Sequence, residues 1–521
     1  AYSRELAGDD IGYWFHFDNL KPGEKVQLQV GVSFVSIENA RENLEAEQSG
    51  FAFDKVREAA RAQWAADLGR IQVEGGTPEQ RTVFYTALYH CLIHPSVVSD
   101  VNGQYPIMEF GNPEAEGSFR IATGPMGQQQ RKLRQKGIGT CYEGVRYSVF
   151  SLWDTCRNLH QLLSLVYPER QVDMVNSVPA MYREWGWLPK WELFGRETWT
   201  MAGDPAIPMI VDSWFKLDAL HPFDMLSARK AFLKSAETPG ADNRMRPDVD
   251  PYLERGYIPL GKDYNGDFSV SHAMEYYMAD AALARYLDAS GDKDLAAKYR
   301  SRSLGYKHYY SKESGTLRPI CQDGSFLSPF DPKQGANFTA TPGFHEGSAW
   351  NYTFYVPHDV EGLAKLMGGT KAFVGKLQKV FDEGLYDLTN EPDIAYPYLF
   401  SRFKGYEKRT WTQVDRILAE YYKNSPDGLP GNDDAGTLSA WAVFSMMGFY
   451  PDCPGDPSYT LTRPTFGKVT VTLDPAYLQG AKPELVVTRK NKPSKALLGG
   501  KNRGYRVSHD ALVGAGTLQW K

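Results

Sequence analysis

The stretch Phe51–Leu68, FAFDKVREAARAQWAADL, shows the pattern that decides the fold of this 521-residue chain. Its apolar residues recur every three to four positions, the spacing of one helix face: Phe53, Val56, Ala60, Trp64 and Leu68. The segment Thr77–Gln80 predicts a second helix, with an N-cap threonine, proline at the first position and glutamine at the third.

Helical periodicity continues to about residue 450. Further helices are predicted near residues 147–165, 170–184, 204–218, 224–235, 271–289, 293–310, 357–367, 371–383, 408–423 and 437–448. Helices in this number, joined by polar loops, favour helix pairs closed into a ring, an (α/α)-type barrel.

Strand-like alternation marks both ends of the chain. Gly12–Phe17 and Val26–Val32 predict strands near the start, and Tyr459–Leu461, Val469–Leu473 and Leu485–Thr488 predict strands near the end. Two strands are not stable alone, so the first pair is predicted to be the tail of a β domain. We therefore divide the chain into residues 1–40 (last sandwich strands), 41–455 (helical catalytic domain) and 456–521 (strands packing beside both).

Composition excludes several classes of function. The 58 basic and 63 acidic residues give a net charge of −5, which disfavours nucleic acid as a partner. No apolar run reaches about 18 residues, so no membrane span is predicted. Aromatic residues make up 13% of the chain, which fits either stacking on sugars or a large aromatic core.

The run Gly343–Tyr352, GFHEGSAWNY, contains a candidate general acid. Glu346 is flanked by Phe344, Trp350 and Tyr352, and partial desolvation by these rings would raise its pKa. The alternative is a glutamate that merely begins a helix. A metalloprotease HExxH motif is excluded because Ala349 replaces the second histidine.

Adjacent carboxylates, Asp433 and Asp434, lie in the glycine-rich run Leu429–Trp441. They repel each other unless a cation or a proton relieves them. Capping of the helix predicted from residue 437 is the alternative, and it would explain one of the two carboxylates but not both.

Other polar residues lie on segments between helices. Asp154 could bind hydroxyl groups or form an ion pair with Arg157 at i+3. Asn390–Asp393 gathers oxygen ligands suited to Ca²⁺, or forms a plain turn. Tryptophans and acids in Gly186–Glu192 and at Asp204 lie on loops of the kind that build a sugar pocket for glycoside hydrolysis.

These motifs together resemble glycoside hydrolase family 92, the bacterial calcium-dependent exo-α-mannosidases. The resemblance runs from about residue 50 to the end of the chain. Its motifs, in family order, are Ser151–Arg157, Gly186–Glu192, Glu346–Trp350, Val356–Asp359, Asn390–Pro392 and Gly431–Trp441, continuing into Gly448–Pro451.

The resemblance implies an (α/α)6 barrel that cleaves terminal α-linked mannose from glycans, including N-glycans, with inversion. Glu346 matches the general acid and Asp434 the general base, with Asp433 as a possible helper because Asn432 stands where the family often has a second acid. The predicted sugar contacts are Asp154, Trp153, Arg157, Trp350, Asp204 and Glu391. The predicted ligands of Ca²⁺ are Asn390, Glu391, Asn432 and the backbone at Trp153.

The family also has a complete N-terminal β-sandwich, of which this sequence is predicted to keep only the last strands. We therefore expect weak activity or none from this chain alone, with the missing segment as a partner. The resemblance predicts a secreted, periplasmic or cell-surface bacterial protein. Hydrolysis of phosphate-linked mannose and a non-catalytic carbohydrate-binding remnant are the alternative functions.

Overall fold

The computed structural model describes residue 12 and residues 14–108, 137–261, 267–336 and 339–521. Within these ranges the chain is mainly helical, as the sequence predicts. The α-helices are Ile37–Glu47, Phe53–Leu68, Pro78–His90, Leu152–Thr155, Leu159–Val166, Pro168–Trp185, Ala206–Leu217, Met225–Glu237, Val249–Arg255, Ser269–Ala289, Lys293–Arg302, Ala349–Thr353, Val360–Leu366, Thr370–Asp382, Glu407–Tyr421, Thr437–Met447 and His509–Ala515. None of these described helices is both long and apolar enough to cross a membrane.

The strands form small sheets. The largest has five strands in the order Ile71–Glu74, Lys468–Thr472, Glu484–Arg489, Thr517–Trp520 and Ala496–Leu498. Its neighbours are antiparallel except for the third and fourth strands, which run parallel. The other strands are Ser96–Val97, Gln104–Pro106, Ile138–Thr140, Tyr147–Ser148, Phe150–Ser151, Trp191–Leu193, Arg196–Glu197, Phe449–Tyr450, Ser458–Leu461 and Arg506–Ser508.

The chain divides into two compact units, one of residues 1–65 and 97–146, the other of residues 66–96 and 147–521. In the second unit, Ile71 lies opposite Val471, and both side chains are fully buried. The C-terminal strands and a segment that precedes most of the helices therefore share one core. The predicted boundaries at residues 40 and 455 differ from this division and stay predictions.

The predicted strands near the start are not formed. Residues 14–36 contain no strand, and the apolar side chains of their alternating runs, such as Leu28 and Val30, are exposed. Alternation yields a strand only where a neighbouring strand completes the backbone hydrogen bonds, and the described residues provide none here. Residue 13, within the first run, lies outside the described residues. The assignment of residues 1–40 to a β-sandwich stays a prediction.

Local capping explains where helices begin. Thr77 accepts a hydrogen bond from the Gln80 backbone at 3.2 Å while the Gln80 side chain accepts from Thr77 N at 2.9 Å, which confirms the predicted capping box. The helix Phe53–Leu68 also forms, yet Phe53 is 64% exposed and Asp67 is its buried residue. Periodicity therefore predicted this helix correctly but not the face that it buries.

Two predicted helices are interrupted. Residues 147–165 begin with the strands Tyr147–Ser148 and Phe150–Ser151, separated by Val149 in a left-handed backbone conformation (φ 67°). A left-handed β-branched residue cannot continue a helix, so the α-helix starts only at Leu152. The predicted helix 293–310 ends at Arg302 and continues as a 3₁₀ turn.

Candidate active site

Three carboxylates from distant parts of the sequence converge in the larger unit. One carboxylate oxygen from each of Asp154, Glu391 and Asp434 lies within 4.8 Å of the others. We call these three residues the acid cluster. Glu346 lies beside it: Asn390, the residue before Glu391, donates through Nδ2 to the Glu346 carbonyl at 2.7 Å. The structure thus brings together four residues that the sequence singled out separately.

Asp154 enters the acid cluster from the first turn of the short helix Leu152–Thr155 and is buried. Its Oδ2 accepts hydrogen bonds from the Ser151 hydroxyl and from Nε1 of Trp191, the latter at 3.1 Å. The alternative of an ion pair with Arg157 is not formed. The backbone turn continues, since Arg157 N donates to the Asp154 carbonyl at 3.3 Å, but the Arg157 guanidinium has another partner.

Arg157 instead forms a buried ion pair with Glu275 at 2.7 Å. Its Nε donates to the Trp153 carbonyl at 2.9 Å, and Tyr355 contacts Arg157 and donates to Glu275 at 3.0 Å. Burial raises the pKa values of Asp154 and Glu391, and the charge of Arg157 partly opposes that rise. Arg157 and Trp153 are 3% and 2% exposed, so they support this segment from within, and the sugar contacts predicted for them stay predictions. The Trp153 carbonyl, a predicted metal ligand, is already engaged by Arg157.

Asn390 and Glu391 reach the site from the 3₁₀ turn Glu391–Asp393, and both are buried. Asn390 Nδ2 donates to the backbone carbonyl of Glu346 at 2.7 Å. Asn390 Oδ1 and Glu391 Oε1 are buried and have no hydrogen-bond partner within the described ranges. Buried oxygens without a hydrogen-bond partner are energetically costly. These two oxygens therefore favour a ligand-binding role for the turn over the alternative of a plain turn.

Glu346 stands in a left-handed conformation (φ 53°) ahead of the helix Ala349–Thr353. Ser348 caps that helix, so the alternative of a helix-start glutamate is not borne out. A Cβ at Gly347 would lie 2.8 Å from Asn390 Nδ2, which explains the glycine that follows Glu346. Desolvation, and secondarily Asp434, raises the pKa of Glu346, as its aromatic neighbours predicted.

The two adjacent aspartates have different tasks. Asp433 Oδ1 accepts a hydrogen bond from Ser439 N at 2.9 Å, in the first turn of the helix Thr437–Met447. Asp434, in a left-handed conformation (φ 49°), directs its carboxylate into the acid cluster. Capping thus explains Asp433, and the predicted catalytic help from it is not supported by this geometry. Asn432, a predicted metal ligand, is exposed, and its role stays a prediction.

The acid cluster cannot carry three ordinary negative charges. Burial first, and then the charge of Asp434, raises the pKa of Asp154 to about 8. Burial and the charge of Asp154 raise the pKa of Glu391 well above its usual range. The pKa of Asp434 rises to about 6, chiefly through burial. At neutral pH the cluster therefore holds at least one proton or a cation.

Two predicted sugar contacts lie elsewhere. Asp204 is fully buried and forms an ion pair with Arg246 at 3.1 Å. Trp350 is also buried, and the Lys379 ammonium lies 5.1 Å from its ring centroid. Both side chains are therefore buried in the protein interior. The sequence pattern alone does not show whether such a side chain points to the core or to a pocket.

Trp191 is a site residue that the sequence did not single out. It is partly exposed, pairs with Ser151 across two antiparallel strands, and bonds Asp154 through its indole N–H. The run Gly186–Glu192 carried the signal of tryptophan on a loop. Only strand pairing shows which of its tryptophans reaches the acid cluster.

The arrangement suits acid–base chemistry on a neutral polar molecule. Glu346, partly exposed with a raised pKa, can donate a proton, and Asp434 can accept one from water. The buried oxygens of Asp154, Glu391 and Asn390 are the hard donors that Ca²⁺ prefers.

Comparison with known proteins finds a family and solved structures that this chain resembles. A family model described as the glycosyl hydrolase family 92 catalytic domain matches residues 39–521. A family GH92 α-mannosidase of Bacteroides thetaiotaomicron, solved in complex with mannoimidazole, is 26% identical with a TM-score of 0.79 over 94% of this chain and 61% of that one. A family GH92 inverting mannosidase of the same organism is 27% identical with a TM-score of 0.80 over 94% and 65%.

A curated relative is described as an uncharacterized secreted glycosidase of Arthroderma benhamiae. It is 25% identical over 481 residues, which cover 86% of this chain and 53% of that protein. This chain therefore spans about half the length of that relative and less than two thirds of the two solved proteins.

Proposed function

This chain belongs to glycosyl hydrolase family 92, as its motifs predicted, and on that premise we propose that it hydrolyses terminal α-linked mannose from glycans with inversion and with the help of Ca²⁺. The observation that carries the proposal is the convergence of Asp154, Glu391 and Asp434 beside Glu346. The names of the solved α-mannosidases support mannose as the sugar.

Glu346 is the general acid of this proposal. Its raised pKa keeps a proton available for the oxygen of the leaving group. The bond from Asn390 to the Glu346 carbonyl fixes the left-handed backbone that presents the side chain. Proton donation by this carboxyl to the glycosidic oxygen breaks the bond to the leaving sugar.

Asp434 is the general base. It takes a proton from the water that attacks the anomeric carbon on the face opposite to the leaving group. Inversion requires the two carboxyl groups to stand roughly 6.5–9.5 Å apart so that water fits between them. Asp154, which lies next to Asp434 in the acid cluster and accepts from the Trp191 indole at 3.1 Å, would bind sugar hydroxyls.

The residues present fit a calcium ion. Glu391, Asp154 and Asn390 would hold it, because their oxygens are buried and those of Glu391 and Asn390 have an atom without a partner among the described residues. When bound, the ion supplies positive charge that keeps nearby carboxylates ionised and can bind vicinal sugar hydroxyls.

The barrel architecture and the location of the protein are also proposals. The helices Leu159–Val166 to Thr437–Met447 would form the (α/α)6 barrel, with the acid cluster carried by the loops between them. A secreted protein acting on N-glycans fits the description of the fungal relative as secreted; a bacterial origin rests on the sequence resemblance alone.

The test is mannose release from α-1,2-, α-1,3- and α-1,6-linked mannosides, with Ca²⁺ and with EDTA. Glu346→Gln is expected to lower the rate by about 10²–10⁴-fold, and NMR should show the β-anomer first. The exposed Glu361→Gln is the matched control and should retain the wild-type rate. This chain alone is expected to release mannose weakly or not at all, so the panel is repeated with the N-terminal segment added back. Absence of release from every substrate by the folded wild type with that segment present would contradict the proposal.

A phosphodiester-linked mannose belongs in the same panel. A phosphate leaving group needs little protonation, so a protonated Glu346 favours glycosidic substrates. Faster release from the phosphodiester, unaffected by Glu346→Gln, would identify the alternative substrate class. Mannose binding in calorimetry without hydrolysis would identify a binding remnant.

A further inference from the structure

The turn that carries Asp434 is held in an unusual backbone conformation. Asp434, Ala435 and Gly436 are all left-handed, with φ values of 49°, 54° and 98°. Non-glycine residues in this region are strained and persist only where their surroundings hold them. The direction of the Asp434 carboxylate therefore depends on the contacts that hold this turn.

Asp433 holds the turn through both its backbone carbonyl and its side-chain carboxylate. Its carbonyl accepts hydrogen bonds from Gly436 N at 3.1 Å and Leu438 N at 3.2 Å, and its carboxylate accepts from Ser439 N at 2.9 Å. These three bonds tie the residue before Asp434 to the first turn of the following helix. The Asp433 carboxylate thus supplies one of the three bonds, the one that depends on the orientation of its side chain.

The end of the helix Pro78–His90 lies against Asp433 and Ser439. His90 Nδ1 is 3.5 Å from Asp433 Oδ2 and 3.3 Å from the Ser439 hydroxyl. The neighbouring Cys91 packs under the turn, where a Cβ added to Gly436 would lie 3.2 Å from the Cys91 Cα. His90 thus contacts both partners of the Asp433–Ser439 bond.

We propose that His90 is a positioning residue, which orients Asp433 and through it holds the left-handed turn that aims Asp434 at the acid cluster. This inference rests on the proposed role of Asp434 as general base. His90 itself contacts Asp433 and Ser439, so it acts through another residue and not on the substrate.

Three variants test the contact. Asparagine places an amide nitrogen near the position of Nδ1, glutamine places it near Nε2, and leucine has none. We expect His90→Leu and His90→Gln to lower kcat by about 10- to 100-fold, the cost of a misplaced catalytic group, with KM nearly unchanged. His90→Asn should restore most of kcat. A kcat near wild type in His90→Gln, or equal losses in the Asn and Gln variants, would overturn the proposal.

A second measurement does not need activity. Hydrogen exchange in the peptide covering residues 432–441 should be faster in His90→Gln than in wild type and His90→Asn, because Ser439 N loses its fixed acceptor. Unchanged exchange would overturn the positioning role. Wild type that stays inactive with the N-terminal segment added back, combined with the expected exchange pattern, would instead contradict the proposed function and leave the contact intact.

Discussion

At the scale of single residues, Asp154 is a carboxyl that its burial in the acid cluster strongly perturbs. Its pKa of about 8 arises first from burial and then from the charge of Asp434. Such a carboxyl keeps its proton in the folded protein and loses it in the unfolded chain. The charge balance of the acid cluster therefore links stability to pH and to cations.

The linkage gives a prediction for the protein in EDTA. Between the ordinary pKa of 3.8 and about 8 the folded state binds the proton that the unfolded state has released, so the free energy of unfolding should fall as pH rises through this window. Asp154→Asn should flatten the decline between pH 6 and 8, measured by urea unfolding. The exposed Asp323, whose pKa is lowered, provides the control, since Asp323→Asn should leave that slope unchanged. A slope as steep as wild type in Asp154→Asn would contradict this account.

Arg157 gives a second prediction at this scale. Its charge is 3% exposed and is balanced by Glu275 at 2.7 Å. Glu275→Gln leaves that charge without its partner and should lower the free energy of unfolding by about 3–5 kcal/mol. The double variant Arg157→Met/Glu275→Leu should regain much of this loss in urea unfolding, because it removes both charges. Equal instability of the two variants would show that packing, and not the ion pair, is responsible.

At the scale of elements, the site residues lie where regular structure stops. Asp154 lies in a four-residue helix directly after a strand, Glu391 begins a 3₁₀ turn, and Glu346 and Asp434 are left-handed residues ahead of helices. A side chain at such a junction leaves the backbone in a direction that a continuous helix does not offer. Fixed junctions thus let four segments point into one space.

Two glycines allow a matched test of one junction. Gly436 and Gly369 both precede helices with φ near 100°, at 98° and 103°, but only Gly436 has a neighbour within 4 Å of an added Cβ. Contact with the Cys91 backbone should make Gly436→Ala less stable than Gly369→Ala by about 1–3 kcal/mol. Gly436→Ala should also lose mannose release, whereas Gly369→Ala should keep it. Equal losses in both variants would mean that backbone strain alone matters.

At the scale of the molecule, a strand that precedes most of the helices of the larger unit belongs to the five-stranded sheet of that unit. Ile71–Glu74 pairs with Lys468–Thr472, at the far end of the chain. The five-stranded sheet and the helices are consequently parts of one cooperative structure. We expect them to unfold together.

Ile71→Ala tests this cooperativity. Removing this fully buried side chain should cost about 2–5 kcal/mol. Circular dichroism of the helices and tryptophan fluorescence should shift to the same lower midpoint. The neighbouring exposed Gln72→Ala should change stability by less than about 0.5 kcal/mol. Separate transitions in Ile71→Ala would contradict a shared core.

Much of this organisation was readable from the sequence. Helical spacing predicted most of the helices, and the capping box at Thr77 fixed a boundary to the residue. The family motifs named Asp154, Glu346, Glu391 and Asp434, which the structure brings together. Strand alternation succeeded at the C-terminal end, where neighbours exist, and failed in residues 14–36, where the described residues offer none.

The sequence by itself determined the local order of this protein: its helices, the family motifs, and the carboxylates that lie between helices. Those features depend on neighbours within a few positions along the chain, where spacing and capping act. Only the tertiary structure decided that Arg157 pairs with Glu275 instead of Asp154, that Asp433 caps a helix while Asp434 faces the cluster, and that Trp191 belongs to the site. Ion pairing, burial and pKa depend on distances in space, and no spacing along the chain specifies them.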